Sequence, residues 1–212
     1  HTLCVQPGAR GLSDAVKELS GHDIVVGGQG NDTVNAGHGR NIVFGDAGLI
    51  TTATRDDPAV QLSVHAFTIG EIVSTAHADG GVDTITAGSQ DDVILGGRDG
   101  DNIDAGHGDN VVFGDHGQLL TITNEGVNAV TGTPRPADSV DHPLTWALIT
   151  SVVPAAGELG GADTITAGSG RDILIGGTGA DSVNSFASSS LGTVAGTAAA
   201  DGSNIVFGDH GL

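Results

Sequence analysis

Asp and Asn residues on a nine-residue grid constrain the fold of this chain more than any other feature. Twelve of them recur in three groups of four, and each is followed two places later by an aliphatic residue. The grid residues are Asp14, Asp23, Asp32, Asn41, Asp83, Asp92, Asp101, Asn110, Asp163, Asp172, Asp181 and Asn204. The residues before each acid are mostly glycine, as in the segment 27–32, Gly-Gly-Gln-Gly-Asn-Asp. A short tandem period of this kind predicts an all-β solenoid in which each repeat stacks on the next.

The composition indicates thin coils rather than a broad globular core. Of the 212 residues, 38% are hydrophobic but only 3% are aromatic, and 36 are glycine. The net charge of -19 is carried by 22 Asp and only 4 Glu, which indicates short carboxylates placed in turns. Lys and Arg together number seven, which argues against nucleic acid as a partner because phosphate contacts require them. No apolar run approaches the roughly 18 residues that span a bilayer.

The grid residues are organised into three units. Each group of four ends in the same tail, Asn-Ile/Val-Val-Phe-Gly-Asp, at 41–46, 110–115 and 204–209, and longer connections follow at 49–78 and 118–158. We therefore expect one continuous solenoid over residues 1–212, with units at about 1–64, 65–143 and 144–212. Each unit is predicted to contain two tight coils and one enlarged coil. Because the chain begins and ends inside a unit, we interpret it as an excerpt of a longer array.

These nonapeptides resemble the RTX (repeats-in-toxin, haemolysin-type) calcium-binding family, and the resemblance covers most of the chain outside the connections. It implies a parallel β-roll with two nonapeptides per coil, two short parallel sheets, and calcium between loops that are 18 residues apart. It also implies that the sixth-position Asp supplies the side-chain ligand and that backbone carbonyls of the glycine-rich loop supply the rest. The chemistry agrees, since Ca²⁺ takes about six to eight oxygen ligands and glycine turns successive carbonyls toward one point.

Assigning the loops to the two edges of such a roll predicts one continuous and one interrupted ladder of ligands. The continuous ladder is Asp14, Asp32, Asp46, Asp83, Asp101, Asp115, Asp163, Asp181 and Asp209. The interrupted ladder is Asp23, Asn41, a connection, Asp92, Asn110, a second connection, Asp172 and Asn204. Asp46, Asp115 and Asp209 stand at the second loop position instead of the sixth, which departs from the family pattern.

Counting the gaps between loops predicts about eight to eleven Ca²⁺ ions, whose charge would nearly cancel that of the chain. Without metal, the aligned carboxylates would repel one another, and a chain with few aromatic residues has little core to resist this. The alternative is a metal-free solenoid in which the Asp-Gly pairs are ordinary turn formers.

The residues on either side of each grid aliphatic indicate that the two sheets have different outer faces. After the continuous ladder they are mostly polar, as in Thr84 and Thr86, whereas after the interrupted ladder they are apolar, as in Ile42 and Phe44. An apolar outer face is rarely left bare, so either the connections fold back over it or another chain covers it. We expect the connections to do so. The candidate covering residues are Val60, Leu62, Val64, Phe67, Leu144, Trp146 and Leu148.

The histidines recur with the repeat and are predicted to be exposed loop side chains. His38 and His107 share one loop position, and His116 and His210 share another. No zinc-protease helix, nucleophile elbow or phosphate loop is present in the sequence, so we expect no enzymatic activity.

The sequence favours a calcium-stiffened structural segment of a secreted or cell-surface repeat protein, such as an adhesin or an extracellular fibre. Self-association, end to end or through the apolar sheet, is expected beside calcium binding. The alternative is a calcium-dependent secretion and folding module attached to an enzyme or toxin domain outside this chain. Long units with elaborate connections favour the first interpretation, since an export module needs only plain nonapeptides.

Overall fold

The computed structural model describes residues 2–4, 15–16, 21–52, 54–55, 69–121, 124–125, 149–154, 159–184 and 204–208. All regular structure in these residues is β-strand, as the sequence predicts. Among them there is no helix of the length and apolar character that crossing a membrane requires.

Two parallel sheets form the body of the protein. Sheet A has seven strands: β1 (Thr2–Cys4), β3 (Ile24–Val26), β5 (Ile42–Phe44), β10 (Val93–Leu95), β12 (Val111–Phe113), β17 (Ile173–Ile175) and β19 (Ile205–Phe207). Sheet B has six: β2 (Ala15–Val16), β4 (Thr33–Gly37), β9 (Thr84–Ala87), β11 (Asn102–Asp104), β16 (Thr164–Thr166) and β18 (Ser182–Asn184). In both sheets the spatial order of the strands follows their order in the chain.

Successive strands of the body alternate between the two sheets, and their register never slips by a residue at the grid positions. In sheet A, Val25 pairs with Val43 and Val43 pairs with Ile94. In sheet B, Ile85 pairs with Val34 on one side and with Ile103 on the other. Equivalent residues of the repeat therefore lie beside one another along each sheet, which is the arrangement that a constant period of short strands predicts.

The inner faces of sheets A and B share one hydrophobic core. Side chains point alternately to opposite faces of a strand, so only the central residue of each three-residue strand faces inward. The cluster contains grid aliphatics of both sheets together with alanines of the loops: Val25, Val34, Ala36, Val43, Ile85, Ala87, Ile94, Ile103, Ala105, Val112, Ile165, Ala167 and Leu174. Aliphatic and alanine side chains fill this narrow space without a single aromatic ring, which explains the low aromatic content of the chain.

The connections between groups form two hairpin arms. The first arm contains β6 (Ala47–Thr52) and β8 (Ile69–Thr75), and the second contains β13 (Gly117–Thr121) and β15 (Ile149–Pro154). All four strands join in one antiparallel sheet, the outer sheet, in the order β15, β13, β8, β6. Beyond these stems, β7 (Thr54–Arg55) pairs in parallel with β14 (Asn124–Glu125).

The outer sheet covers the apolar outer face of sheet A, as the sequence predicts. Ile72 of the first arm and Leu119 of the second are fully buried in a second cluster that contains Phe44 and Phe113. Partly buried Ile50 and Val152 complete the inward row of the arms, opposite Ile72 and Leu119. The covering residues proposed from the sequence, Val60 to Phe67 and Leu144 to Leu148, lie outside the described residues.

The predicted enlarged third coil is wrong. Thr33 of β4 pairs directly with Thr84 of β9, and Ile42 of β5 pairs directly with Val93 of β10, so no coil lies between the last strands of one group and the first strands of the next. Both ends of an arm instead belong to a single loop, because the segment between them is antiparallel and returns to the place where it left. Each connection therefore adds an arm to one loop and no further coil to sheets A and B.

Candidate metal-binding loops

The loops that connect sheets A and B lie along two edges of the body. We call the loops from sheet A to sheet B the glycine edge, because their first residue is glycine; they cover 27–32, 45–83, 96–101, 114–163 and 176–181. The loops from sheet B to sheet A form the alanine edge, named for the alanine at which four of them begin, at 36–41, 87–92, 105–110 and 167–172; the loops that end at Asp23 and at Asn204 belong to the same edge. The two arms are inserted in the glycine-edge loops 45–83 and 114–163.

On the glycine edge, the sixth-position carboxylates form an unbroken column of hydrogen bonds. The N–H of Asp32 donates to Oδ1 of Asp83 at 2.8 Å, and the N–H of Asp83 donates to Oδ1 of Asp101 at 2.7 Å. The N–H of Asp101 donates to Oδ1 of Asp163 at 2.7 Å, and that of Asp163 to Oδ1 of Asp181 at 3.1 Å. One oxygen of each acceptor thus holds the preceding loop in register, although these residues are 18 to 62 positions apart in sequence.

The alanine edge carries a matching column, and its predicted interruption is wrong. Asn41 donates its N–H to Oδ1 of Asp92 at 2.7 Å, directly across the place where a connection was expected. Asn110 likewise donates to Oδ1 of Asp172 at 3.1 Å. The remaining steps join Asp23 to Asn41, Asp92 to Asn110 and Asp172 to Asn204. The arms leave from the other edge, so this edge remains continuous.

Each first-position glycine of the glycine edge adjoins a carboxylate oxygen and a carbonyl oxygen. A Cβ on Gly45 would collide with Oδ2 of Asp83 and with the carbonyl oxygen of Gly96. A Cβ on Gly114 would meet Oδ2 of Asp163 and the carbonyl oxygen of Gly176 in the same way. The two oxygens therefore converge on one small region beside each glycine, which only glycine leaves open. An array of carboxylate and carbonyl oxygens is the donor set that Ca²⁺ prefers.

The second carboxylate oxygen of these residues is buried and accepts no hydrogen bond in the structure. This holds for Oδ2 of Asp83, Asp92, Asp101 and Asp163. A buried carboxylate oxygen without a partner is unfavourable, and a cation is a common way in which proteins compensate it. The residues present therefore fit a divalent cation on the side of each carboxylate that faces away from the hydrogen-bonded column.

Burial raises the pKa of these carboxyl groups far above that of an ordinary Asp. Loss of solvation raises the pKa of Asp101 to about 10 and that of Asp83 and Asp92 to about 8. The same loss of solvation raises the pKa of Asp163 to about 7. Backbone N–H donors oppose the rise, and neighbouring carboxylates add to it. In the absence of a cation, the fold therefore favours protonated carboxyl groups at neutral pH.

The second-position acids Asp46 and Asp115 are buried beside the glycine-edge column, but both carboxylate oxygens of each accept hydrogen bonds. They do not form separate rungs between the sixth-position residues, because Asp32 contacts Asp83 directly. Asp46 and Asp83 are instead two residues of the same loop, and so are Asp115 and Asp163. The predicted ligands Asp14 and Asp209 lie outside the described residues.

Side chains alone do not make a metal centre in the part of the chain that the structure describes. No three His, Cys, Asp or Glu side chains there converge closely enough to hold an ion. A bound cation would therefore need further oxygens from the backbone, amide side chains or water, and the carbonyl groups of Gly96, Gly114 and Gly176 are placed to supply some of them. The nine-residue spacing is enough to find the acids in the sequence. The carbonyl oxygens could not be found in this way, because their positions depend on how the loops stack.

The histidine prediction is correct for one pair and wrong for one residue of the other. His38 and His107 are exposed, and Ser89 and Ser169 contact their Nδ1 atoms at 3.0 and 3.1 Å. His116 is buried and stacks on His77 with ring centroids 4.2 Å apart. It is buried because it lies at the base of the second arm, where the chain leaves the loop. His210 lies outside the described residues.

A family model described as the RTX calcium-binding nonapeptide repeat matches the chain in four copies, over residues 19–48, 77–112 and 159–185. These ranges take in grid residues of all three groups and together make up less than half of the chain. No curated protein and no solved structure matches the chain.

Proposed function

Because the matched segments are RTX nonapeptides, a repeat that binds calcium, we propose that this chain is a calcium-binding β-roll with a structural role. Sheets A and B form the two faces of the roll, and the glycine and alanine edges hold the ions. RTX repeats occur in secreted proteins, so an extracellular location is proposed. Stiffened by calcium, the roll would serve as a segment of an adhesin or an extracellular fibre.

The observation that carries the proposal is the column of buried carboxylates with one oxygen turned away from its hydrogen-bonded neighbour. Asp83, Asp101 and Asp163 each use Oδ1 to hold the preceding loop and leave Oδ2 beside a glycine carbonyl of the following loop. A cation at this point would contact two successive loops at once. It would replace the protons that burial otherwise imposes on these acids and would tie neighbouring coils together.

We propose the sixth-position residues of both edges, including Asp14 by sequence, as the side-chain ligands. Five described grid residues on the glycine edge enclose four gaps, and six on the alanine edge enclose five. One ion per gap supports the expected range of about eight to eleven Ca²⁺ ions.

The outer sheet favours a structural role over a pure export module. Antiparallel pairing of β8 with β13 joins the arm of one unit to that of the next and buries Ile72 and Leu119 against sheet A. This layer connects one unit to the next, and its strands add no ligand to the proposed calcium-binding loops. A catalytic or toxin domain in the same polypeptide would instead favour the secretion and folding module.

Chelation tests the proposal. We expect exhaustive removal of calcium at pH 8 to abolish most of the β signal in circular dichroism, because about nine gaps would then contain buried acidic groups that must stay protonated or lie beside no cation. Added calcium should restore the signal, whereas magnesium should not, since it requires a smaller octahedral shell and dehydrates reluctantly. A spectrum that does not change on chelation would exclude calcium as the element that stabilises the fold.

A further inference from the structure

We propose that Asp46 and Asp115 are arm anchors: they divert the chain out of the tight coil and fasten the base of each arm to the loop of the following coil, without binding metal. The proposal does not depend on calcium binding by the sixth-position residues. Both residues stand at the second loop position, directly after Gly45 and Gly114. Plain glycine-edge loops have glycine there, namely Gly28, Gly97 and Gly177.

Backbone conformation explains why the identity of this residue matters. Gly28, Gly97 and Gly177 have φ values of 108°, 121° and 114°, in the left-handed range that side chains rarely adopt. Neither Asp46 nor Asp115 is among the described non-glycine residues with positive φ. A chain with Asp at this position therefore leaves the path of the plain loop, and it does so at both places where an arm begins.

The carboxylate of Asp46 then closes the base of the first arm. Its Oδ1 accepts the N–H of Gly81, where the arm returns to the loop, at 3.2 Å. Its Oδ2 accepts the N–H of Arg98, at the third position of the next glycine-edge loop, at 2.6 Å. A Cβ on Gly80 or on Gly97 would overlap this carboxylate, so two glycines from different loops enclose it.

Asp115 repeats these contacts at the base of the second arm. Its Oδ1 accepts the N–H of Gly161 at 3.0 Å, and its Oδ2 accepts both the N–H and, at 2.7 Å, the Oγ1 hydroxyl of Thr178. Gly160 and Gly177 adjoin it as Gly80 and Gly97 adjoin Asp46. Gly161 is the equivalent of Gly81 in the next unit, and Thr178 is the equivalent of Arg98. The same two backbone hydrogen bonds therefore occur at both arms, although the residues that donate them differ.

The donors around these two acids distinguish them from the proposed ligands. Asp46 and Asp115 accept N–H donors on both oxygens, whereas Asp83, Asp101 and Asp163 each have a buried Oδ2 that accepts none. N–H donors therefore compensate both oxygens of the second-position acids, and neither oxygen is left in need of a cation. The second-position Asp therefore joins an arm to the following coil by hydrogen bonds alone.

Asp115→Asn and Thr178→Val test the second anchor. Hydrogen exchange of the described arm strands, 117–121 and 149–154, should become about tenfold faster or more, because a hydrogen bond to a charged acceptor is lost. The number of bound calcium ions should stay the same in both variants. Thr178→Ser keeps the hydroxyl and should restore protection, and Asp104→Asn serves as an exposed control.

Each outcome decides the question. Fewer bound ions in folded Asp115→Asn, with the arm still protected, would identify Asp115 as a ligand and overturn the proposal. Should Asp115→Asn fail to fold, Thr178→Val decides alone, since it alters no carboxylate; unchanged exchange in the arm would then contradict the anchor, and faster exchange reversed by Thr178→Ser would support it.

Discussion

Each sixth-position Asp of the glycine edge uses its two oxygens for different tasks. In Asp101, Oδ1 accepts the N–H of Asp83, while Oδ2 is buried beside Gly96 without a hydrogen bond. The hydrogen bond to Oδ1 forms without any metal, whereas Oδ2 would need a cation to compensate its burial. A single substitution here should therefore affect both the stack and the bound metal.

Asp101→Asn is expected to lower both the calcium content and the melting temperature. The residue belongs to two gaps, so loss of its charge should remove or weaken one to two ions. Leaving a buried group poorly satisfied costs about 1–3 kcal/mol, which corresponds to roughly 2–12 °C in a chain of this size. Calcium titration and thermal melts check this, with exposed Asp104→Asn as the control. Equal behaviour of the two variants would contradict a shared ligand.

The pH dependence of stability should change sign with calcium. Burial raises the pKa of Asp101 to about 10 and that of Asp83 to about 8, above the ordinary value of 3.8. A raised folded pKa means that the folded chain binds these protons more tightly than the unfolded chain does. This contribution is complete below about pH 4 and is lost as the pH rises toward 8–10. Metal-free protein, prepared by dialysis, should therefore retain more of its β signal in circular dichroism at pH 5 than at pH 8.

With saturating calcium the order should be reversed, because the ions require ionised carboxylates and acid displaces them. The β signal in circular dichroism at the two pH values, with and without calcium, provides the measurement. The same order in both conditions would show that the carboxylates of the grid do not hold the metal.

Residues whose role depends on the repeat alone could be predicted from the sequence. The grid aliphatics Val43, Ile94 and Ile103 are buried as expected, because a strict alternation within short strands leaves one inward position. The partners of Asp46 could not be predicted, since Arg98 is 52 residues away and the contact depends on the return path of the arm.

At the scale of the elements, the two edges differ in charge although their hydrogen-bonded columns are alike. The described glycine edge has Asp at every rung, whereas the alanine edge alternates Asp with Asn. A gap between two rungs therefore has two carboxylates on the glycine edge and one on the alanine edge. Calcium affinity increases with the number of charged ligands.

Calcium should consequently bind in two phases, first along the glycine edge and then along the alanine edge. Isothermal titration should resolve the phases. Asn110→Asp adds a carboxylate to two alanine-edge gaps and should strengthen the second phase, while making the metal-free protein less stable through repulsion with Asp172. Asn102→Asp adds the same charge on the exposed face of sheet B and provides the control. A single phase that neither variant alters would contradict the difference between the edges.

The position of the arms could be predicted only in part from the repeat. The sequence predicts that the connections cover the apolar face of sheet A, because exposed residues such as Phe44 and Phe113 would be costly, and the arms do cover it. It assigns the connections to the wrong edge and to an extra coil, because the Gly-Asp pair of each tail resembles the start of another loop. Only pairing of strands 51 residues apart, as between Ile42 and Val93, reveals that the arm lies outside the coil.

At the scale of the whole molecule, the described residues of β19 differ from the rest of sheet A because their apolar side chains are exposed. Ile205 and Phe207 of β19 are 50% and 37% exposed, whereas the equivalent Val111 and Phe113 of β12 are 2% and 1% exposed. The difference arises because another strand of sheet A and an arm strand lie against β12. Within the described residues, β19 has a neighbouring strand on one side alone.

End-to-end association in calcium is the expected consequence, because an unpaired strand with an apolar face is a template for a further strand. Analytical ultracentrifugation and small-angle scattering should detect elongated species that grow with concentration. Phe207→Asp should suppress them, whereas Leu159→Asp, at another exposed apolar residue, should not. A strictly monomeric particle at all concentrations would contradict this assembly.

Because both stems of an arm belong to a single loop, the pairing of the coils does not depend on the number of residues between the stems. The segment from β6 to β8 is shorter than that from β13 to β15, yet the strands on either side pair without a change of phase. Residues inserted or deleted between the two stems of an arm should therefore leave the pairing of sheets A and B unchanged, whereas a single residue inserted inside a nonapeptide would shift the strands that follow it. A foreign segment placed between the stems should accordingly be carried without a change in the coils.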